Sequence, residues 1–337
     1  MQAKPIFSVI IPAFNEVKAI GECLSALANQ SLPRKFFEVI VVDNGSTDET
    51  AGSAATFQDL LHLRVLFTTE PCISGVRNFG ASFATGRFFA FLDADCVVPS
   101  HWLEAAAELL AADSARVIGA HYIIPPNSSW LAKAWYGDMS TRKSGPVSYV
   151  PSGDLFVSRE NFFKIDGFDP EIATSEDTDF CKRASDVGLP TVAVTRLGVV
   201  HFGTPQSLGS FYRKQRWHGT HVHRVFWKDI RGSRATKSVV FAGYTLLAVA
   251  AGVGIAFHGV ISGRLLEVLL APVLLLIAPF LMAIRRSRSG VGPLTLLYLV
   301  YGLARGVALL GAGVSTKEDY HLVSGGDPKS DVGSALH

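Results

Sequence analysis

Two aspartates one residue apart, Asp93 and Asp95, follow directly on the apolar run Arg87-Phe88-Phe89-Ala90-Phe91-Leu92. A run of this composition after Gly86 reads as a strand buried on both faces, of the kind found in parallel sheets. The two charges then stand at its carboxyl end. Ligands bind at that edge of an open α/β sheet, and a pair of hard oxygen donors there suits a divalent cation that keeps positions free for phosphate oxygens. A surface turn ahead of Pro99 and Ser100 accounts for a lone Asp-x-Asp equally well. Other residues favour the ligand site: Asn15 with Glu16, and Asp43, end two earlier strand patterns at the same edge. Like charges gathered this way need compensation, which a metal together with Arg77 supplies.

A second acidic group, Ser175-Glu176-Asp177-Thr178-Asp179, leads into a helical pattern over Phe180 to Val187. On local grounds its acids complement the positive end of a helix dipole. His201 closes a β-rich run from Pro190 to Val200, and stands either as a third metal ligand or as a structural histidine. His218, His221 and His223 lie close together, but the Arg and Trp residues around them suit an interfacial helix better than a transition-metal site.

The elements that must position these residues alternate β and α. Ile6 to Pro12 reads as a strand stopped by proline, and Ala19, Ile20, Cys23, Leu24 and Leu27 recur behind it at helical spacing. Phe37 to Val42 is a second strand. Ser46 followed by Glu49 is a capping-box signature that predicts a helix from Thr47 and a preceding loop with free backbone N–H groups. Leu63 to Phe67 is a third strand, and Ser74 to Thr85 a helix carrying Arg77 and Asn78. After the Asp pair the pattern gives a helix over Ser100 to Ala112 with Ser100 as its cap, and a strand over Val117 to Ile124. Trp130 to Ser148 reads as a helix followed by a mobile loop. A strand over Gly153 to Ser158 and a helix over Arg159 to Ile165 come next. This repetition predicts a mostly parallel, doubly wound sheet.

Of the 337 residues, 48% are hydrophobic and 18% charged, and the apolar excess collects after residue 238. Three segments there, Val239 to Ile261, Leu265 to Ile284 and Leu294 to Val314, approach or exceed the ~20 residues needed to span a bilayer. Ahead of them, Trp217, Phe226 and Trp227 are interfacial anchors, while Arg224, Lys228, Arg231, Arg234 and Lys237 attract anionic lipid. This basic segment and Arg285-Arg286-Ser287-Arg288 are expected to be cytoplasmic, which makes the first two spans a hairpin turning near His258 to Arg264. A third span puts the flexible tail Ser315 to His337 outside. Arg305 and Glu267 are charges inside apolar segments, so a pairing or a lipid-phosphate contact is expected for them, with snorkelling the simpler account of Arg305. Gly302 and Gly306 form a small-residue face for helix packing. The net charge of +2 is not spread over a face, and no nucleic-acid partner is expected. The scattered Cys23, Cys72, Cys96 and Cys181 read as reduced cytosolic thiols. With no apolar leader or cleavage site at Met1 to Ile11, the first two-thirds of the chain is expected to stay in the cytoplasm.

Taken together, several stretches resemble a family 2 glycosyltransferase, an inverting nucleotide-sugar enzyme of the GT-A fold. They are Ser8-Val9-Ile10-Ile11-Pro12-Ala13-Phe14-Asn15-Glu16, Val41-Val42-Asp43-Asn44-Gly45-Ser46-Thr47-Asp48, Gly75-Val76-Arg77-Asn78-Phe79-Gly80, Asp93-Ala94-Asp95, Glu176-Asp177 and a weaker Arg213-Lys214-Gln215-Arg216-Trp217. The resemblance covers roughly residues 6 to 220, and its combination of motifs is more specific than any one of them. The family's processive synthases usually carry Gln three residues before the Arg-Trp pair, where this chain has Arg213, which argues against borrowing a polymer-channel function.

The resemblance implies an α/β, Rossmann-like GT-A domain over residues 1–204, and the residue patterns add a basic and aromatic interfacial region over 205–238, a membrane domain of about three helices over 239–314 and a tail over 315–337. It implies that Asp43 accepts from a nucleobase, most often uracil, and that Pro12, Asn15 and Glu16 lie at the nucleoside. Arg77 belongs near the diphosphate. Asp95 binds Mg²⁺ or Mn²⁺, Asp93 touches ribose or metal, and His201 is an additional ligand. Asp177 is the implied general base with Glu176 as runner-up, and Arg216 and Trp217 lie near diphosphate and acceptor. The expected protein is a multi-pass enzyme of the inner (plasma) membrane, catalytic domain cytoplasmic, which glycosylates a lipid or lipid-linked acceptor. The alternatives are a processive polysaccharide synthase subunit, for which three spans are few, and a non-catalytic nucleotide-sugar-binding scaffold, which has no need of Glu176-Asp177.

Overall fold

The computed structural model describes residues 5–137, 143–172, 174–220, 226, 234–287 and 290–311. The chain forms two compact units. Among the described residues, the first comprises those up to Asn127 together with Tyr136–Thr204, and the second comprises Ser128–Trp135 and those from Pro205 to Gly311.

In the first unit the strands β1 (Phe7–Ala13), β2 (Phe37–Asp43), β3 (Leu63–Phe67) and β4 (Phe88–Leu92) alternate with the helices α1 (Ile20–Ala28), α2 (Thr50–Ala55) and α3 (Ile73–Phe83). β5 (Cys96–Val97), α4 (Trp102–Ala112) and β6 (Val117–Gly119) follow. After α5 (Trp130–Tyr136) come β7 (Gly145–Pro146), β8 (Asp154–Ser158), α6 (Arg159–Lys164), α7 (Glu176–Asp186), β9 (Thr191–Ala193) and β10 (Val200–His201). The main sheet has the order β3-β2-β1-β4-β8-β6-β9-β7, and β5 pairs with β10 in a separate two-stranded ribbon. β1 to β4 are parallel, whereas β8 is antiparallel to both β4 and β6. The sheet is therefore mostly parallel on one side and mixed on the other.

β1, β2 and β4 are buried at every position, as apolar runs in a two-faced sheet must be. Phe7, Val9, Val39, Val41, Phe88 and Ala90 face α1 and α4, while Ile10, Ile40, Val42, Phe89 and Phe91 face α3, α6 and α7. The alternation within each strand thus fills two cores rather than one core and a wet face.

Several expected boundaries move. β1 runs through Pro12, which pairs in register with Val42, because the ladder to β4 ends at Ile10 and the missing N–H falls where β1 has β2 alone beside it. α2 begins at Thr50 rather than Thr47, and no capping box forms. Ser46 Oγ instead accepts from Asn15 N (3.0 Å), and Asp48 Oδ1 accepts from Thr50 N (3.0 Å). Nor are the loop N–H groups free: those of Gly45 and Ser46 donate to Asp43 Oδ1, and that of Thr47 to Asn15 Oδ1. α4 starts at Trp102 with His101 before it, so Ser100 is not its cap. The strand expected to Ile124 ends at Gly119, with only an isolated bridge from Ile123 to Val200 beyond it. α7 opens at Glu176, four positions before the expected start, so the acidic group forms its first turn.

The second unit holds α5, α8 (Leu208–Gly219) and three long helices, α9 (Arg234–Ser262), α10 (Leu265–Arg286) and α11 (Val291–Leu310). All three are long and apolar enough to cross a membrane. α8 is closed at its start by a reciprocal Ser207–Ser210 capping box. Glu267 is paired with His258 (2.6 Å) and Arg264 (3.1 Å), and Arg305 donates to the His218 carbonyl and to Gln215 Oε1, so both charges within the apolar helices have protein partners. Gly302 and Gly306 lie against Thr245 and Leu246 of α9, where a side chain would collide. His221, His223, Arg224, Trp227, Lys228, Arg231, Arg288 and the tail Ser315 to His337 lie outside the described residues.

Candidate active site

The site assembles at the carboxyl ends of β1, β2 and β4. Asp43, the last residue of β2, is 2% exposed, and its Oδ1 accepts from the N–H groups of Gly45 (2.9 Å) and Ser46 (2.7 Å). Its Oδ2 is buried with no hydrogen-bond partner among the described residues. A buried carboxylate oxygen left open is costly, and a donor supplied by a ligand removes that cost. Asn15, at φ 53°, is held beside this loop by its bonds to Ser46 and Thr47, and Glu16 N donates to Thr50 Oγ1 (2.7 Å). Pro12 is buried within β1.

Arg77, on α3, is 3% exposed and links two acids from distant parts of the chain. Its Nη2 lies 2.7 Å from Asp93 Oδ1 and its Nη1 lies 2.8 Å from Glu176 Oε1. Tyr122 Oη donates to the other oxygen of Asp93 (2.8 Å), and Ser152 Oγ donates to Glu176 Oε1 (2.7 Å). Burial pushes the Asp93 carboxyl upward, but the Arg77 charge, with His201 and the Tyr122 hydroxyl, outweighs it and holds the group below the usual carboxylate range. Burial and the neighbouring Asp93 together push the Tyr122 phenol well up, so it stays a donor. Both Asp93 oxygens are thereby engaged by the protein itself.

Asp95, in the turn after β4, lies 3.4 Å through Oδ2 from His201 Nε2. His201 sits on β10, in register with Cys96 on β5, and its ring stacks on Tyr122 with centroids 4.3 Å apart and planes 6° from parallel. Asp93, Asp95, Cys96 and His201 each place one donor atom within 4.8 Å of the others. Oxygen and nitrogen donors at ~2.1 Å from one ion stand roughly 3 Å apart, so the Asp95–His201 pair fits a divalent cation. Gly203 is required beside them, since a Cβ there would come within 2.1 Å of Asp95 Oδ2. Gly153 plays the same part for Asp93, whose Oδ2 would lie 2.1 Å from an added Cβ.

The structure thus brings Arg77, Asp93 and Glu176 together, and Asp95 with His201 beside them. Asp177, next to Glu176 in the first turn of α7, is half-buried, and its Oδ1 accepts from Thr178 N. Arg216 and Trp217 lie in the second unit, on α8, exposed and half-buried respectively. Sequence reasoning missed Tyr122 and Ser152, which lie in stretches without a motif and gain their roles only through strand pairing. It also missed Asp154, fully buried behind the site, whose two oxygens accept from Trp102 Nε1 and Ala120 N, both at 3.0 Å. Burial raises that carboxyl well above its ordinary range.

The sequence profile of Glycosyl transferase family 2 matches residues 8–163, and that of Glycosyl transferase family group 2 matches residues 88–304, more than half of the chain. The chain belongs to the family 2 glycosyltransferases. Among its relatives, this glycosyltransferase is 31% identical over 190 residues to Glycosyltransferase AglE of Haloferax volcanii, an alignment covering 55% of this chain and 62% of AglE. It is 26% identical over 255 residues to the amylovoran biosynthesis glycosyltransferase AmsB of Erwinia amylovora, covering 70% and 80%. Against the poly(ribitol-phosphate) β-N-acetylglucosaminyltransferase TarS of Staphylococcus aureus it spans only 18% of the relative's length. In fold it is similar to the mannosyltransferase PcManGT from Pyrobaculum calidifontis, a structure holding GDP-Man and Mn²⁺, with a TM-score of 0.59, 20% identity and coverage of 90% and 88%. The glycosyltransferase therefore has the GT-A fold, with a candidate metal site at Asp93, Asp95, Cys96 and His201.

Proposed function

We propose that this glycosyltransferase is a membrane-anchored inverting enzyme. It transfers a sugar from a nucleotide-sugar donor, UDP-linked, to a hydroxyl or phosphate of a lipid or lipid-linked glycan acceptor at the cytoplasmic face of the plasma membrane. The observation that carries the reading is the pair of contacts from Arg77 to Asp93 and to Glu176, which joins the acid pair after β4 to the acidic first turn of α7.

Asp43 offers its open Oδ2 to a nucleobase N–H, with Pro12, Asn15 and Glu16 lining the nucleoside side of the same loop. Asp95 and His201 would hold Mg²⁺ or Mn²⁺, and Asp93, already engaged by Arg77 and Tyr122, would touch the ribose or the metal. A bound cation neutralises charge on the leaving diphosphate. Glu176 Oε1 holds Arg77 and accepts from Ser152, which gives Glu176 a positioning role, and the half-buried Asp177 beside it in the first turn of α7 is the proposed base. Asp177 takes the proton from the acceptor hydroxyl as its oxygen forms a bond to the anomeric carbon. The bond to the diphosphate breaks on the opposite face, so an α-linked donor gives a β-linked product. Arg216 and Trp217 contribute at the diphosphate and acceptor.

The test is transfer by isolated membranes. Labelled donor sugar is expected in the organic-solvent extract, and Asp177→Asn is expected to lower the rate by about 10²–10⁴-fold while nucleotide binding persists. Label recovered only in long water-soluble polymer, or full activity in Asp177→Asn, overturns the reading. A thermal-shift screen of UDP- and GDP-sugars with Mn²⁺ identifies the donor.

A further inference from the structure

The three apolar helices do not pack as three parallel spans. α9 and α10 pair as a hairpin requires: Tyr244 Oη donates to the Leu274 carbonyl, a Cβ on Gly252 would come within 3.2 Å of the Ala271 carbonyl oxygen, and one on Gly259 within 3.0 Å of Val268. α11 meets that hairpin at one end only among the described contacts. Leu294 and Tyr298 pack on Phe241 and Ala283, Tyr301 Oη bonds Ser238 Oγ (2.9 Å), and Gly302 and Gly306 lie against Thr245 and Leu246. Positions spread over about 18 Å of α11 thus meet about 12 Å of α9, at the 1.5 Å rise of a helix. The turn end of the hairpin stays uncovered there, with Phe257 67% and Leu266 68% exposed.

What runs beside α11 instead is α8. Phe211 packs with Leu297, Gln215 and the His218 carbonyl receive the Arg305 guanidinium, and a Cβ on Gly219 would come within 2.6 Å of Ala308. The two helices therefore keep company from Leu297 to Ala308. α8 carries Arg213 and Arg216 exposed on its outer side, and a helix bearing those charges does not enter hydrocarbon. Leu296, Val307 and Leu310 form an exposed apolar stripe on another side of α11. One apolar stripe, one packed side and a charged companion are the features of a helix lying in the interface, with its stripe reaching the acyl boundary.

We infer that α11 lies along the membrane surface across the entry ends of the α9–α10 hairpin rather than crossing the bilayer. The chain then crosses twice, and the residues after Gly311 return to the side from which α9 enters. The partner of the stripe is the lipid surface of that leaflet. Arg305, on this placement, sits at the carboxyl end of α8, where carbonyls lack helical partners, instead of in the hydrocarbon core.

This inference rests on the membrane-anchored reading, and alkaline carbonate extraction separates the two: release of the full chain from membranes removes the anchor itself. For chains that stay with the membrane, Ser262→Cys and Gly311→Cys, the second just past the end of α11, are labelled with an impermeant maleimide in intact cells and after permeabilisation; the native cysteines are buried. Ser262→Cys is expected to label in intact cells and Gly311→Cys only after permeabilisation. As a second measurement, a fluorescent protein fused after His337 is expected to light up and alkaline phosphatase at the same place to stay inactive. Labelling of Gly311→Cys in intact cells, or an active phosphatase fusion, overturns the inference.

Discussion

Asp93 and Glu176 share one guanidinium: Arg77 reaches the first at 2.7 Å and the second at 2.8 Å, from a position 3% exposed. Removing that guanidinium leaves two acids facing each other in a low-dielectric site. Arg77→Met is expected to destabilise the first unit by about 3–5 kcal/mol, the cost of an uncompensated buried ion pair. Arg77→Lys keeps the charge but has no fork to reach both acids, so it is expected to recover part of the melting temperature and little of the transfer rate. Thermal unfolding in detergent beside a transfer assay reads both.

How much of this could be read beforehand differs by element. Runs such as Phe88–Leu92 and Phe37–Asp43 announce strands because they are buried on both faces, and Asp43 and Asp93 sit at their ends by position alone. Pairings that depend on sheet order were not legible. Tyr122 holds Asp93 only because the chain beyond β6 returns beside β10, and Ser46 meets Asn15 across the loop instead of capping α2. Local signals name a residue's habitual role, and a tertiary partner with better geometry overrides it. The same holds for Arg305, whose partners Gln215 and His218 precede it by 90 and 87 residues.

Asp43 divides its two oxygens between the loop and an open position. Asp43→Asn puts an NH₂ group in place of an acceptor at one of them. Nucleotide affinity is expected to fall by roughly thirtyfold, equivalent to about 2 kcal/mol for a lost charge-assisted hydrogen bond. Mn²⁺ dependence is expected to survive, because Asp95 and His201 are untouched. Calorimetric titration of UDP with and without Mn²⁺ separates the two effects.

Gly203 gives Asp95 its room. In Gly203→Ala the new methyl would lie 2.1 Å from Asp95 Oδ2 and 3.1 Å from His201 Nε2, so one of these side chains must turn away. Apparent Mn²⁺ affinity is expected to drop at least tenfold, with the nucleobase end of the site intact. Titration of the metal-dependent thermal shift at fixed nucleotide measures it, and an unchanged midpoint removes Asp95 and His201 from the ligand set.

Glu38 tests the scaffold rather than the chemistry. Its Oε1 receives Ser8 Oγ (2.6 Å), Thr85 N and Thr85 Oγ1 (both 2.7 Å), and its Oε2 receives Arg64 (2.8 Å), stitching β1, β2, β3 and the turn before β4. Burial pushes this carboxyl up, yet the bonds from Ser8 and Thr85 and the Arg64 charge outweigh it and leave the group below the usual glutamate range. A carboxyl depressed in the folded state adds stability above its unfolded titration, and that stability drains away as pH falls through the folded value. Wild-type melting temperature is therefore expected to decline on acidification from pH 6 toward pH 4 and below. Glu38→Gln cannot titrate, so at pH 7 it is expected to melt lower, by the equivalent of about 2–3 kcal/mol for hydrogen bonds to a charged group, and to show a shallower acid slope. Arg64 is largely solvated and contributes the smaller part. Equal acid slopes in the two proteins would place the acid sensitivity elsewhere, at another carboxylate held low, such as the buried Asp93.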